Sequence, residues 1–191
     1  MSTLAPPATF LPRPLTYDDL IAMPDDGQRY ELINGEVCVS PAPHRVHQKM
    51  SFRLTLQVGG HVEELGLGEL YHAPVDVRLS PYDIVQPDLI FLRRDRLHLY
   101  QGSIVEGPPD IVVEILSPST RQVDLVRKAA LYARAGVPEY WQVDLDARKL
   151  RILVLHEGQY REVAVDAEGH LRSVVLPDLV IDPDVLFAHL G

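Results

Sequence analysis

Apolar positions along this chain change period several times, and each change marks an element. Leu15-Thr16-Tyr17-Asp18-Asp19-Leu20-Ile21 predicts a short helix, with Thr16 as N-cap and two acids in the first turn. From Arg29 to Ser40 the alternation is that of strands, and Asn34-Gly35 between the two halves predicts a hairpin. Between His44 and Leu65 the spacing turns helical, with Val46, Met50, Leu54, Val58 and Val62 recurring near one face. Gly59-Gly60 weakens its later turns, since each glycine costs about 1 kcal/mol of helix relative to alanine. Strands are expected over residues 69–79 and 84–92, joined through Ser80-Pro81-Tyr82-Asp83.

A loop containing Gly and Pro, residues 99–109, leads to an apolar strand over 110–116. Ser117-Pro118-Ser119-Thr120 ends that strand and caps a helix running to Ala135, closed by Gly136. Val137-Pro138-Glu139 then turns the chain into a strand over 140–145. Strand, helix, strand is a βαβ unit, which predicts parallel neighbours and a right-handed crossover. Segments 149–155, 159–165 and 171–175 are short and separated by turns, so they are expected to extend the sheet in antiparallel fashion. The predicted class is α/β, a central mixed sheet flanked by helices. The predicted organisation is a flexible arm over residues 1–14, with Pro6, Pro7, Pro12 and Pro14, followed by one domain over 15–191.

With 191 residues and 46% hydrophobic content, such a domain can bury a core without a disulfide or structural metal. Cys38 is the single cysteine, which excludes an internal disulfide framework and Cys-rich metal sites and suits a reducing cytoplasm. No signal peptide pattern opens the chain, and no stretch reaches the roughly 18 apolar residues of a membrane helix. The expectation is a cytoplasmic protein without membrane contact. The formal charge of −9 weighs against a broad electrostatic footprint for nucleic acid. Any such partner must meet local basic groups, such as Arg93-Arg94-Asp95-Arg96 or Arg127-Lys128, or bound divalent ions.

Two carboxylates stand where solubility gives no reason for them. Asp88 opens the strand Gln86-Pro87-Asp88-Leu89-Ile90-Phe91-Leu92, and Glu114 interrupts Ile111-Val112-Val113-Glu114-Ile115-Leu116. An ionised carboxylate in a covered strand needs a cation or several donors to offset its desolvation. Asp124, Lys128 and Tyr132 recur every four residues on the following helix, so Lys128 is the candidate partner, although an ordinary Asp124–Lys128 salt bridge explains the spacing equally well. Carboxylates on adjacent strands, completed by a backbone carbonyl and phosphate, suit magnesium. Glu31 sits in a half-buried strand pattern as a third ligand or an anchor for a basic group. His44 and His47 lack a partner cluster, so a cap or a satisfied core histidine is the default for each. Tyr140 and Trp141 read as core.

Tyr30-Glu31-Leu32-Ile33-Asn34-Gly35-Glu36, Ser40-Pro41-Ala42-Pro43 with His47, Gln86-Pro87-Asp88-Leu89, Val112 to Thr120 with Asp124, Lys128 and Tyr132, Gly136-Val137-Pro138-Glu139-Tyr140-Trp141 and Leu176-Pro177-Asp178-Leu179 follow one another in the chain. In this order they resemble the successive motifs of the Uma2 family of restriction-endonuclease-like proteins, over nearly everything from Tyr17 onward. The resemblance implies a PD-(D/E)XK nuclease fold and phosphodiester hydrolysis of nucleic acid, DNA first, dependent on Mg2+ or Mn2+. It makes Asp88 and Glu114 the metal carboxylates and Glu31 the early acidic residue, and it matches His47 to a histidine without an assigned role. The signature lysine two positions after Glu114 is replaced by Leu116, and Lys128 looks like its migrated substitute. Cleavage of both strands would bring in a homodimer. The competing readings are a noncatalytic binding or regulatory module on the same scaffold, and a metal hydrolase for another phosphoester.

Overall fold

In the computed structural model, which describes residues 13–40, 43–116, 121 and 123–190, the chain builds two six-stranded sheets and a two-stranded ribbon. The strands are β1 (Arg29–Ile33), β2 (Glu36–Ser40), β3 (Gly68–His72), β4 (Asp76–Ser80), β5 (Asp83–Val85), β6 (Leu89–Arg93) and β7 (Tyr100–Gln101). They continue with β8 (Ile104–Glu106), β9 (Ile111–Leu116), β10 (Glu139–Asp144), β11 (Lys149–His156), β12 (Gln159–Glu162), β13 (Leu171–Arg172) and β14 (Val180–Ile181). The helices are α1 (Tyr17–Leu20), α2 (Arg45–Leu54), α3 (Gly60–Leu65), α4 (Ala129–Ala135) and α5 (Pro183–Phe187). The central sheet runs β12-β11-β10-β9-β6-β3 and is mixed, because β9 and β10 are parallel while its other pairs are antiparallel. The smaller sheet runs β2-β1-β5-β4-β8-β7.

The turn at Asn34-Gly35 is the hairpin that its dipeptide predicts. Both residues have positive φ, 55° and 74°, and Ile33 pairs with Glu36 across it. A side chain at Gly35 would also meet Pro14 at 2.5 Å, so the position is closed to anything larger. The strands expected over 69–79 and 84–92 are each divided between the two sheets. Ala73-Pro74 separates β3 from β4, and Gln86-Pro87-Asp88 separates β5 from β6. A proline cannot donate to a ladder, so each break falls where the chain leaves one sheet for the other. Asp88 stands at the second of these crossings.

Residues 45–65 are helical throughout, but Thr55–Gly59 forms a wider π turn between α2 and α3. A Cβ at Gly59 would lie 3.4 Å from Leu70, so this turn sits within ordinary van der Waals reach of β3. Met50, Leu54, Val58 and Val62 pack with Leu89, Phe91, Ile111, Val113, Ile115 and Trp141 on one face of the central sheet. On the opposite face Ile90, Val112 and Tyr140 join Leu131 and Tyr132 of α4 and Ile33, Val77, Val85 and Val105 of the smaller sheet. The alternation of β9 therefore aims Glu114 into the seam between the two sheets, beneath α4.

Before α4, Val123–Lys128 also forms a π turn, and α4 ends on Gly136 at φ 83°, with Val137 N–H returning to the Tyr132 carbonyl. The expected cap at 117–120 and residues 1–12 of the expected 1–14 arm lie outside the described residues. Tyr140 and Trp141 are core residues, both fully buried. Two expectations are corrected. The segment over 99–109 is not a loop throughout, because it carries β7 and β8 of the smaller sheet. Segment 171–175 does not extend the central sheet: β13 pairs with β14 as a separate ribbon.

Glu139 explains the departure. This fully buried carboxylate accepts hydrogen bonds from Trp141 Nε1, Ser173 Oγ, Val174 N and Val175 N at 2.5–3.0 Å, which fastens the backbone after β13 to the start of β10. Among the described residues no helix is long and apolar enough to cross a membrane. Glu139→Ala should strand these donors and lower the unfolding free energy by about 3 kcal/mol or more in urea denaturation, with hydrogen exchange faster across residues 171–181. A loss below about 1 kcal/mol would show that the ribbon is held by its apolar contacts alone.

Candidate active site

The carboxylates singled out in the sequence arrive from three directions. Glu31 projects from β1 of the smaller sheet, Glu114 from β9 of the central sheet, and Asp88 from the crossing that precedes β6. Each is 2–3% exposed. The β6–β9 register pairs Leu89 with Val113, so Asp88 continues it opposite Glu114. Lys128, at the junction of the π turn and α4, is itself 2% exposed. Its Nζ lies 2.9 Å from Glu31 Oε1 and 3.0 Å from Glu114 Oε1, so one ammonium joins the two sheets.

Further donors complete the arrangement. Tyr132, one turn beyond Lys128, donates from its hydroxyl to Glu114 Oε1 at 2.6 Å. The side chain of Asp124 lies outside the described residues, so the alternative Asp124–Lys128 pair has no structural account. Gln86 N–H donates to Glu31 Oε1 at 2.7 Å. Asp88 Oδ2 accepts from the Ile115 N–H at 2.7 Å and lies 3.2 Å from His47 Nε2, while Arg29 Nη1 approaches Oδ1 at 3.3 Å. Arg29 also donates to the Gln86 carbonyl at 3.1 Å.

His47, on the first turns of α2, thus has a partner in Asp88, whereas His44 is exposed at the helix N-cap without a side-chain cap bond. Sequence reasoning did not place Arg29 or Tyr132 in the site. Their signals were present: Arg29 shares a face of β1 with Glu31, and Tyr132 is four residues from Lys128. Nothing in the local pattern marked His47 as reaching Asp88, because that contact joins α2 to a strand crossing far along the chain.

Electrostatics reflect the crowding. Burial acts to raise the Asp88 pKa, but the hydrogen bond and charge of His47, the charge of Arg29 and the Ile115 N–H together leave it below the ordinary aspartate value. For Arg29 burial acts to lower the pKa, and the charges of Asp88, Glu114 and Glu31 outweigh it, so the net shift is upward. Burial, followed by the charges of Glu114 and Glu31, raises Tyr132 well above the ordinary phenol, which keeps its hydroxyl a donor.

The donor set fits a hard divalent cation in chemical type: carboxylate oxygens on neighbouring strands, with backbone carbonyls nearby. Among the described residues no group of three His, Cys, Asp or Glu side chains stands in ligating geometry. The carboxylates are instead balanced by Lys128, Arg29 and His47. A cation entering between Asp88 and Glu114 would take over part of that balance.

The model of the Uma2 family, described as "Putative restriction endonuclease", matches residues 17–184, and the chain belongs to this family. A crystal structure described as "a putative nuclease belonging to DUF820" from Anabaena variabilis superposes with a TM-score of 0.78 at 19% identity. It covers 93% of this chain and 100% of its own, and it shows that the fold is the one expected from the sequence. No curated protein matches the chain.

Because Lys128 separates two buried carboxylates, Lys128→Met should lower the unfolding free energy by about 3–5 kcal/mol. Adding Glu31→Gln to that variant should recover part of the loss, since it removes one of the charges left unpaired. Strictly additive losses in denaturant titrations of the single and double variants would show that the pair is not coupled.

Proposed function

We propose that this Uma2-family protein is an endonuclease that hydrolyses phosphodiester bonds of nucleic acid, DNA in the first instance, with Mg2+ or Mn2+. The observation that carries the reading is the placement of Lys128 Nζ within 3.0 Å of carboxylates from two sheets, with Asp88 at the crossing into the neighbouring strand β6. Family membership supports the same chemistry. Asp88 and Glu114 would hold the metal ion. Bound there, the ion supplies Lewis-acid stabilisation of phosphate charge and a lowered pKa for water.

The protein's own groups have distinct parts in this reading. Direct attack of water on phosphorus gathers negative charge on the phosphoryl oxygens, and Lys128 and Arg29 are the permanent cations facing that charge. Glu31 acts through Lys128, holding its ammonium over the seam. Tyr132 fixes one oxygen of Glu114 by donating to it, which leaves the carboxylate a defined orientation. His47 and Arg29 keep Asp88 ionised until substrate and metal arrive. Leu116 takes the signature lysine's place on β9, and Lys128 brings an ammonium to the same carboxylate from the helix instead. In this reading the protein is cytoplasmic, and it works as a homodimer where both strands are cut.

Cleavage of labelled single- and double-stranded DNA and RNA in Mg2+ or Mn2+ tests the reading, with wild type beside Glu114→Gln. The variant should lose activity on the order of 10²-fold or more, and chelator should abolish cleavage by wild type. Equal cleavage by both proteins would remove Glu114 from the mechanism. Metal binding by wild type without cleavage of any nucleic acid would favour a noncatalytic module or another phosphoester substrate.

A further inference from the structure

One strand away from Glu114, on the same face of the central sheet, lies a groove that the chemistry above does not use. Its volume is about 250 Å³, and Arg121, Gln142, Asp144, Lys149, Arg151 and Glu162 supply its polar lining. The register makes it continuous with the carboxylate site: Glu114 pairs with Gln142 on β10, and Gln142 pairs with Arg151 on β11. With neighbouring strands about 4.8 Å apart, Arg151 is about 10 Å across the sheet from Glu114.

Among the described residues the lining combines three cations with two carboxylates in a chain of net charge −9, so this set is locally positive where the protein as a whole is not. Its cations are presented rather than buried. Gln142, 1% exposed, accepts from Arg151 Nη1 at 3.0 Å through Oε1 and so anchors one side of the guanidinium. The other side, Nε and Nη2, is turned toward Glu162 Oε2 at 2.9 and 2.8 Å. Lys149 reaches the second oxygen of Glu162 at 3.2 Å, and Arg121 pairs with Asp144 at 2.6 Å. The side chains of Arg151 and Glu162 are 36% and 38% exposed, so their ion pair is weak and exchangeable. An anion presenting two oxygens in one plane matches the Nε/Nη2 edge of the guanidinium better than the single Glu162 oxygen that edge now meets.

We propose that this groove seats a second backbone phosphate, a neighbour of the scissile one on the same strand, with Arg151 and Lys149 as its ligands and Glu162 as the carboxylate it displaces. The inference rests on the nuclease reading and makes the substrate a nucleic-acid strand rather than an isolated phosphodiester. Glu162 keeps the cations aligned, and lowers affinity, when no strand is bound.

The test is the fluorescence anisotropy of a short labelled DNA strand, titrated in chelator with wild type, Arg151→Gln and Glu162→Gln over a range of salt. Arg151→Gln should weaken binding roughly tenfold and reduce the salt slope by about 1, whereas Glu162→Gln should tighten binding several-fold. Weakening by both variants would indicate a structural ion pair and overturn the proposal, as would binding indifferent to either. Hydrolysis of bis(4-nitrophenyl) phosphate in Mg2+ or Mn2+, a diester with no second phosphate, should be equal in wild type and Arg151→Gln; a parallel loss there would also overturn it. The opposite-sign binding pattern without any cleavage would support the groove while removing the nuclease reading, so the two fail separately.

Discussion

A buried ammonium sets the terms on which the two sheets of this molecule meet. Glu31 and Glu114 approach the same seam from opposite sides, and both are almost wholly removed from water. Two carboxylates so placed repel each other and lose their hydration, and a cation between them, with neutral donors such as Tyr132 O–H and Gln86 N–H, offsets that cost. Lys128 is that cation. The helix that carries it must lie over the seam, which sets where the chain leaves β9 and where Gly136 returns it to β10. The segment that links the parallel β9–β10 pair thus also carries the ammonium of the site.

Asp88 belongs to a second electrostatic group, joined to the first through the β6–β9 register. Its partners come from β1 and α2, so the site draws on both sheets and on helices from both faces of the central sheet. Among the described residues, three buried carboxylates, Glu31, Asp88 and Glu114, face two permanent cations, Lys128 and Arg29, and one histidine. The opposition of charges within this set offsets part of the cost of burying these groups together. It also means that a divalent cation entering alone would leave an excess of positive charge, which an anionic phosphodiester relieves. Electrostatic balance thus couples metal and substrate in the proposed reaction, because each reduces the cost of admitting the other.

Local sequence made the elements with strong internal signals legible. Asn34-Gly35, the apolar spacing from Val46 to Val62, the βαβ unit and the fully buried β9 and β10 all depend on neighbours in the chain. Glu114 was legible for the same reason, since an acid within Val112-Val113-Glu114-Ile115 asks for a partner, and Lys128 lay within the next helix. The division of strands at Pro74 and Pro87 was harder to read, because either segment can continue as one strand until the second sheet competes for half of it. The detached β13–β14 ribbon depends on four donors converging on Glu139, whose own segment reads as a turn. The contacts of His47 and Arg29 with Asp88 cross 41 and 59 positions of the chain, which no periodicity records, and the only local signal was the face of β1 that Arg29 shares with Glu31.

The acidic composition and a nucleic-acid substrate are compatible once charge is read by location. Net charge governs long-range attraction and nonspecific affinity, while chemistry depends on potential within a few ångströms of the phosphate. Arg29 and Lys128 stand in the seam, and Arg121, Lys149 and Arg151 stand along the adjoining groove, so the cations follow a path across one face of the sheet. Most of these cations are held by a carboxylate of the same site. In the proposed reading such pairing would suppress indiscriminate attraction to polyanions, because a strand would gain only where its phosphates match the spacing of cations that must first be released from their own partners. For an enzyme that cuts nucleic acid, weak binding outside the productive register is a form of restraint, and the excess of acid on the rest of the surface reinforces it.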